Sequence, residues 1–206
     1  MVVPPLIQTS KTDQIVMPDI DATKRGLRTQ IRRQRDDFVN RLGPGEKALT
    51  FSVAPSPLSA LFGPGKTVAA YVPIGSEANP LKLLEAAEKA GCEIALPHVT
   101  SKAAPMRFLQ WSNTESLALG PFGLQQPDAG NRQVTPDVIL VPLIAFDRAL
   151  NRLGQGAAHY DRALSLLGNS LAIGVGWSMQ EQPELDVDDW DIPLDAVLTE
   201  REWITA

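Results

Sequence analysis

Apolar side chains recur at helical spacing near the start of the chain. The apolar positions are separated by four, seven and four residues, and they are Leu27, Ile31, Phe38 and Leu42. This spacing predicts an amphipathic helix. The Gly-Pro-Gly sequence at 43–45 ends the helix, because neither residue type continues one well.

Short apolar runs then alternate with helical patterns along the rest of the chain. The predicted strands are 67–72, 93–97, 137–142, 171–177 and 196–199, and the predicted helices are 80–90 and 157–167. Asn79 is a good N-cap for the first of these helices, and Gly91 ends it. Residues 98–133 are rich in turn formers, so short strands and loops are expected there. The alternation predicts an α/β fold, with a mostly parallel sheet and helices on both faces.

Residues 1–21 contrast with this pattern. They contain three prolines and keep no steady period, which predicts an extended or disordered N-terminal tail. Residues 22–206 are then expected to form a single domain, since no second boundary or internal repeat is visible.

Composition narrows the function classes. The chain has 206 residues, a hydrophobic fraction of 44%, a formal net charge of −5 and one cysteine, Cys92. The acidic balance argues against nucleic acid as a partner. The single cysteine allows no internal disulfide, which suits a reducing cytoplasm. No apolar stretch is long enough to cross a membrane, and the first ten residues do not resemble a signal peptide. We therefore expect a cytoplasmic protein without a membrane partner.

The densest chemistry lies in N-R-L-G-Q-G-A-A-H-Y-D-R-A-L, residues 151–164. Gly154 and Gly156 can take backbone angles that other residues avoid, so successive N–H groups can converge on an anion. Arg152 adds a planar donor fork suited to phosphate. Asp161 falls in the first turn of the following helix, where a carboxylate can bind Mg²⁺ beside phosphates. A tight strand–helix turn, with Asp161 only favouring the helix N-terminus, explains the spacing equally well.

The same stretch resembles the signature of the 5-formyltetrahydrofolate cyclo-ligase family. F-D-x-x-x-N-R-L-G-Q-G-A-A-H-Y-D-R is similar to the family's F-D-x-x-G-x-R-L-G-x-G-x-G-Y-Y-D. K-R-G-L-R, V-A-A-Y-V-P-I-G-S-E-A-N-P, F-G-L-Q-Q-P and W-D-I-P-L-D-A-V-L-T-E resemble further family segments in the same order. The resemblance extends from about residue 24 to the end of the chain.

This resemblance implies a fold and a reaction. The fold is a three-layer α/β architecture of the NagB/RpiA/CoA-transferase type. The reaction is the ATP- and Mg²⁺-dependent cyclisation of 5-formyltetrahydrofolate to 5,10-methenyltetrahydrofolate, with release of ADP and phosphate. Phosphorylation of the formyl oxygen turns a poor leaving group into a good one, so the protein mainly positions two substrates and stabilises phosphate charge. The expected partners are small molecules, a reduced folate and ATP, and a monomer is expected.

The resemblance also assigns roles to individual residues. Lys24 and Arg28, four positions apart on one helical face, match N-terminal ATP contacts. The ATP-binding loop is matched by Arg152, Leu153, Gly154, Gln155, Gly156, Ala157, Ala158, His159 and Tyr160. Folate contacts are matched by Val72, Glu77 and Tyr160, and the residues expected to act in catalysis are Arg152 and Glu77. The expected Mg²⁺ ligands are Asp161 and Asp191.

Simpler explanations remain open for several of these residues. Glu77 can be a solvated loop carboxylate, Tyr160 can pack against its helix, and Asp191 is one acid in D-V-D-D-W-D. Gln180 resembles a family glutamine and can either touch the nucleotide or serve the structure. The helix at 24–42 is densely basic, and a solvated face is the expected explanation for most of its cations, Lys24, Arg25, Arg28, Arg32, Arg33 and Arg35.

Four positions depart from the family pattern, and they keep a second function open. Ala158 replaces a third glycine, and it costs about 1 kcal/mol or more if its φ is positive. His159 replaces a tyrosine, Gln126 a glutamate and Trp190 a histidine. The first two substitutions motivate a non-catalytic folate- or nucleotide-binding paralogue as the alternative. A module that binds RNA through the basic helix is disfavoured by the net charge and by the lack of interleaved aromatics.

Overall fold

The chain is described by a computed structural model over residues 20–206. The predicted tail falls mainly on residues 1–19, which lie outside the described residues. The helices are α1 (Ile20–Arg41), α2 (Pro44–Leu49), α3 (Ser56–Ser59), α4 (Leu81–Lys89) and α5 (His159–Leu166). Two 3-10 turns occupy Pro121–Gly123 and Ser178–Gln180. Helix α1 begins at Ile20, so its first two residues lie inside the span 1–21 that was predicted to be the tail.

Twelve strands are present among the described residues. They are β1 (Thr67–Ala69), β2 (Glu93–His98), β3 (Arg107–Gln110), β4 (Ala118–Leu119), β5 (Gln125–Gln126), β6 (Gln133–Val134), β7 (Val138–Pro142), β8 (Ala145–Phe146), β9 (Arg152–Leu153), β10 (Leu171–Val175), β11 (Ala196–Leu198) and β12 (Trp203–Ile204). Eight of them form one sheet in the order β12-β11-β10-β7-β1-β2-β3-β6. The five central strands from β11 to β2 run parallel, whereas β12, β3 and β6 add antiparallel edges. The predicted mostly parallel sheet is confirmed.

The sheet separates two hydrophobic cores. Alternate residues of β7 face opposite sides, so Val138 and Leu140 join one core while Ile139 and Val141 join the other. The first core contains apolar side chains of α3 and α4 and is packed by the apolar face of α1, whereas the second contains those of α5. Strand β7 is thus covered on both sides, which explains its near-continuous apolar run in the sequence. The layers match the predicted three-layer fold.

Polar residues at the beginnings of two central strands fix how these strands pair. Asp137, just before β7, accepts the Thr67 amide through Oδ2 at 2.8 Å and donates its own amide to the Thr67 carbonyl at 2.8 Å. Asp195, just before β11, forms the same reciprocal pair with Ala172 of β10, at 2.7 and 2.8 Å. These hydrogen bonds join the ends of neighbouring strands, where no pattern of apolar and polar side chains specifies the pairing.

A small hairpin that the sequence pattern does not predict joins β7 to α5. Strand β8 pairs antiparallel with β9, and the turn between them is held by the buried carboxylate of Asp147. That carboxylate accepts the Asn151 amide at 2.9 Å, the Asn151 side chain at 3.0 Å and the Leu185 amide at 3.0 Å. The F-D-x-x-x-N part of the signature therefore stabilises the turn of this hairpin. The hairpin in turn positions Arg152 at the start of the loop that follows.

Candidate active site

A cavity of about 560 Å³ lies beyond the carboxyl ends of the parallel strands. Residues at or just past the carboxyl ends of β1, β2 and β7 line it, among them Val72, Val99 and Pro142. This is where open α/β sheets bind ligands. Strand β1 is shorter than the predicted 67–72, because the chain leaves the sheet after Ala69 and continues into the cavity wall.

The structure brings every residue of the predicted site to this one cavity. The lining includes Lys24, Arg28, Val72, Glu77, Asp161 and Asp191, together with the whole loop from Arg152 to Tyr160. These residues come from α1, from the segment after β1, from the loop before α5 and from the segment before β11. Positions that lie far apart in sequence therefore share one binding surface.

The two glycines of the loop have different structural reasons. Gly156 has a φ of +99°, a conformation that L side chains rarely adopt, as predicted. Gly154 has no such angle, so the backbone reason predicted for it is wrong. A Cβ at Gly154 would lie 2.8 Å from Nη1 of Arg152, so a glycine here leaves room for the arginine. The loop is thus shaped around the Arg152 side chain.

Ala158, at the position of the family's third glycine, has φ +51° and ψ +25°. This φ lies in the left-handed region. The structure therefore has the conformation with a positive φ, which is the one that is energetically costly for alanine. Ala158 immediately precedes α5 and accepts the Arg162 amide at 3.1 Å. Alanine keeps the loop geometry that a glycine would adopt freely.

Arg152 is the central cation of the cavity. Its side chain is buried, and Nη2 donates to Oδ1 of Asp161 at 2.5 Å. Its Nε is buried and donates to no acceptor among the described residues, as is also true of Nε of Arg162. An unsatisfied buried donor costs about 1–3 kcal/mol, so Arg152 retains hydrogen-bonding capacity for an anion. The guanidinium carbon lies 5.9 Å from the centre of the Tyr160 ring, and burial raises the pKa of that phenol.

Lys24 forms a second charged group with two carboxylates. Its Nζ lies 2.7 Å from Oδ2 of Asp188 and 3.0 Å from Oδ2 of Asp191, and the Asp188 amide donates to Asp191 at 2.9 Å. Burial lowers the pKa of the Lys24 amine, but the hydrogen bonds to both aspartates outweigh it, and the net shift is upward. Asp188 was missed by sequence reasoning, because nothing distinguishes it from its acidic neighbours.

Glu77 sits opposite the loop, with both carboxylate oxygens engaged. Oε1 accepts from the Gln155 side chain at 2.5 Å, and Oε2 accepts the Ile74 amide at 2.9 Å. Gln155 in turn accepts from Nη2 of Arg32 at 2.6 Å. The glutamate is thus hydrogen-bonded to the loop before α5 and, through Gln155, linked to α1.

Four of the six cations on the basic face of α1 are buried or bonded to the loop before α5, which corrects the expectation that most of them are solvated. Lys24 and Arg35 are buried. Arg28 donates through Nε to the Gly154 carbonyl at 2.9 Å, and Arg32 reaches Gln155. Arg25 and Arg33 are exposed. The helix packs its cations, as well as its apolar stripe, against the rest of the chain, which leaves little of the basic face for RNA.

Local contacts describe three further residues, His159, Gln126 and Gln180. His159 lines the cavity; burial, followed by the charges of Arg162 and Lys102, lowers its pKa, so the ring is neutral near pH 7. Gln126 is buried, and its Oε1 accepts the Val99 amide at 3.0 Å. Gln180 is also buried and bonds at both ends of its amide to main-chain groups, so its role is structural.

An apolar wall completes the cavity, and sequence reasoning assigned it no residues. Its members are Tyr71, Ile74, Pro97, Val99, Met106, Phe122, Leu124 and Trp190. Phe122 and Trp190 line the cavity yet are 65% and 66% exposed, so both stand at its mouth. Five of these residues lie in the family-like segments of the sequence, Tyr71, Ile74, Phe122, Leu124 and Trp190, but the segments gave none of them a place in a wall. The cavity therefore combines a cationic side with an apolar one.

The donor set suits a hard cation that also binds phosphate. Asp161, Asp188 and Asp191 offer carboxylate oxygens to the cavity, the ligands that Mg²⁺ uses beside substrate phosphates. Within residues 20–206 no three or more His, Cys, Asp or Glu side chains are grouped to hold a metal by themselves.

Among the same residues, no helix has the length and hydropathy that a membrane crossing requires.

Comparisons with known proteins find relatives that match most of the chain. A sequence model described as the 5-formyltetrahydrofolate cyclo-ligase family matches residues 20–200. A 5-formyltetrahydrofolate cyclo-ligase of Mycolicibacterium smegmatis is 32% identical over 192 residues, which cover 89% of this chain and 97% of that protein. The enzyme of the same name from Escherichia coli is 34% identical over 141 residues, covering 65% of this chain and 77% of the relative.

Solved structures show the same likeness. The structure of a 5,10-methenyltetrahydrofolate synthetase from Aquifex aeolicus has a TM-score of 0.71 at 29% identity, covering 88% of this chain and 92% of that one. A synthetase of the same name from Mycoplasma pneumoniae has a TM-score of 0.64 at 25% identity, with coverages of 86% and 98%.

Proposed function

Because this chain belongs to the 5-formyltetrahydrofolate cyclo-ligase family, we propose that it converts 5-formyltetrahydrofolate to 5,10-methenyltetrahydrofolate. ATP is consumed and ADP and phosphate are released. The observation that carries the proposal is one cavity in which Lys24, Arg28 and Arg152 face the same space as Glu77 and an apolar wall. Cations suit a triphosphate, and a carboxylate beside apolar groups suits a reduced pterin.

The proposed reaction has two bond-forming steps. The formyl oxygen attacks the γ-phosphorus, and the bond to the bridging oxygen breaks as ADP leaves. N10 of the folate then bonds to the formyl carbon and loses its proton, and the carbon–oxygen bond breaks as phosphate leaves. Little covalent work falls on the protein, so its contribution is to position the substrates and to stabilise charge.

Arg152 is proposed to bind the phosphates. Its unsatisfied Nε can donate to a phosphate oxygen in a site where burial makes the charge more effective. The loop from Leu153 to His159 supplies backbone groups around it, and α5 begins at its end, so the helix N-terminus also favours an anion. Lys24 and Arg28 approach from α1.

Glu77 is proposed to hold the folate. An ionised carboxylate accepts hydrogen bonds only, which suits the N–H groups of a pterin ring. Its two oxygens are already oriented by Gln155 and by the Ile74 amide. Val72 and the Tyr160 ring lie on the same cavity and offer packing surface. A folate held in this way would lie against the loop from Arg152 to Tyr160.

Asp161 and Asp191 would hold Mg²⁺. A bound ion would supply positive charge that offsets the negative charge developing on the phosphates. The carboxylates present in the cavity fit this role, since each is a hard oxygen donor. In the structure Asp161 instead pairs with Arg152, and Asp191 pairs with Lys24.

We propose that the protein acts in the cytoplasm and as a monomer. The single cysteine, which is buried and unpaired, suits a reducing compartment. All proposed contacts to both substrates come from one chain, so no second copy is required to complete the cavity.

The test is the near-ultraviolet absorbance of methenyltetrahydrofolate, followed after mixing purified protein with 5-formyltetrahydrofolate, Mg²⁺ and ATP. An ATP-dependent rise, absent without ATP, is the expected result. Binding of folate and ATP with no rise would contradict catalysis and favour the non-catalytic paralogue.

A further inference from the structure

Arg35 is a buried cation for which the proposed chemistry has no use. It lies in the second half of α1 and is 5% exposed, whereas Arg33, two residues earlier, is exposed. Burying a charge is unfavourable unless the surrounding groups hold it in place. Burial lowers the pKa of this guanidinium, and nearby Glu77 and Asp36 oppose that shift.

The guanidinium of Arg35 is hydrogen-bonded to Ser76, which directly precedes Glu77. Nε of Arg35 donates to Oγ of Ser76 at 3.0 Å. The Ser76 hydroxyl donates in turn to the carboxylate of Asp36, the neighbour of Arg35 on α1. One serine side chain is therefore held by two consecutive residues of the helix.

The main chain of Ser76 is held as well. Its carbonyl accepts from the indole Nε1 of Trp177 at 2.9 Å. Trp177 is buried between two phenylalanine rings, with centroid distances of 5.5 Å to Phe38 and 5.3 Å to Phe51. Phe38 also belongs to α1. Helix α1 thus fixes Ser76 both through its own polar residues and through the packing of Trp177.

We propose that Arg35 and Ser76 are positioning residues that hold the Glu77 loop in the geometry required to bind the folate. The inference rests on the proposed function, because it takes Glu77 as the folate contact. The Glu77 carboxylate is anchored at one end by Gln155 and Arg32, and its backbone is anchored at the other by Ser76 and Arg35. The second anchor lies outside the loop assigned to ATP, and neither Ser76 nor Arg35 is among the residues that line the cavity.

Removal of the serine hydroxyl tests this proposal. Ser76→Ala breaks both side-chain bonds and leaves Nε of Arg35 without that acceptor. The Michaelis constant for 5-formyltetrahydrofolate is expected to rise about tenfold, the size expected for one lost hydrogen bond to a charged group. The Michaelis constant for ATP and the affinity for a non-hydrolysable ATP analogue should stay within about twofold. Ser76→Thr, which restores the hydroxyl, should recover most of the folate affinity.

Matched variants separate positioning from general damage. Arg35→Gln should reproduce the selective folate defect, and Arg33→Gln, the same change at an exposed site of the same helix, should behave as wild type. The proposal is overturned if Ser76→Ala and Arg35→Gln lower only the melting temperature, or if the constants for folate and ATP rise together. A wild-type protein that forms no methenyltetrahydrofolate would instead refute the proposed function, whatever these variants do.

Discussion

Replacing Ala158 with glycine is expected to stabilise the protein. The φ of +51° at Ala158 places its Cβ close to the following carbonyl group, which costs an L-residue about 1–2 kcal/mol. Glycine escapes that cost, but it gives the unfolded chain about 0.4–1 kcal/mol more conformational freedom. The difference predicts a net gain of about 0.5–1 kcal/mol in the free energy of unfolding.

Ala157 supplies the matched control. It is the adjacent alanine, it is also half-buried, and it is not among the residues with positive φ. Ala157→Gly therefore adds the freedom of glycine without relieving strain, and it should destabilise by about 0.4–1 kcal/mol. The gap between the two variants isolates the strain at Ala158, about 1–2 kcal/mol.

Urea unfolding of both variants, followed by tryptophan fluorescence, measures these differences. For a chain of this length, 1 kcal/mol also corresponds to a shift of about 2–4 °C in Tm. Equal destabilisation by Ala158→Gly and Ala157→Gly would refute the reasoning, because it would mean that the left-handed angle stores no strain. A loss of activity in Ala158→Gly would show that the methyl group serves the site.

Three further predictions concern the charged groups of the site and the sheet. Arg152→Lys should raise the Michaelis constant for ATP about ten- to a hundredfold, because it loses the donor fork; Arg148→Lys, on the surface, is the control. Asp161→Asn should lower turnover about a hundredfold and raise the Mg²⁺ requirement, and a wild-type rate would contradict the metal role. The Thr67 amide, followed by Lys66, lowers the pKa of Asp137 below its ordinary 3.8. Its ionised form therefore stabilises the fold above that pH, and Asp137→Asn should cost up to about 1 kcal/mol at pH 7. The deficit should vanish as the pH falls through the folded-state pKa, and a deficit unchanged by pH would refute it.

Local patterns predicted the elements that carry a period. The spacing of Leu27 and Ile31 predicted α1, and the apolar run after Asp137 predicted β7 as a central strand. The β8–β9 hairpin was not predicted, because two-residue strands have no period to detect. Strand β3 pairs with β2 through contacts that depend on the fold of the intervening loop, so its place between β2 and β6 was not visible either.

The candidate site was predictable as a set of residues but not as a set of contacts. The resemblance placed Lys24, Arg152 and Asp161 in the site, and the structure brings them to one cavity. Their pairing was invisible, because charge order along a chain does not reveal which cation meets which acid. Asp188 and Arg35 were missed for the same reason, since each stands in a run of like charges and only tertiary packing distinguishes it.

The ion pairs of the cavity have a consequence for how the nucleotide arrives. Lys24 pairs with Asp188 and Asp191, and Arg152 pairs with Asp161, so the charges at both sites are compensated within the chain. If ATP bound alone, its phosphates would take the cations and leave unpaired carboxylates beside them. If Mg²⁺ bound alone, it would take the carboxylates and leave unpaired cations beside it. Only the complex of ATP with Mg²⁺ would supply both negative charge for the cations and positive charge for the carboxylates. If the proposed function is right, binding would then be an exchange of ion pairs, in which the magnesium complex of ATP replaces the pairs that these residues form within the chain.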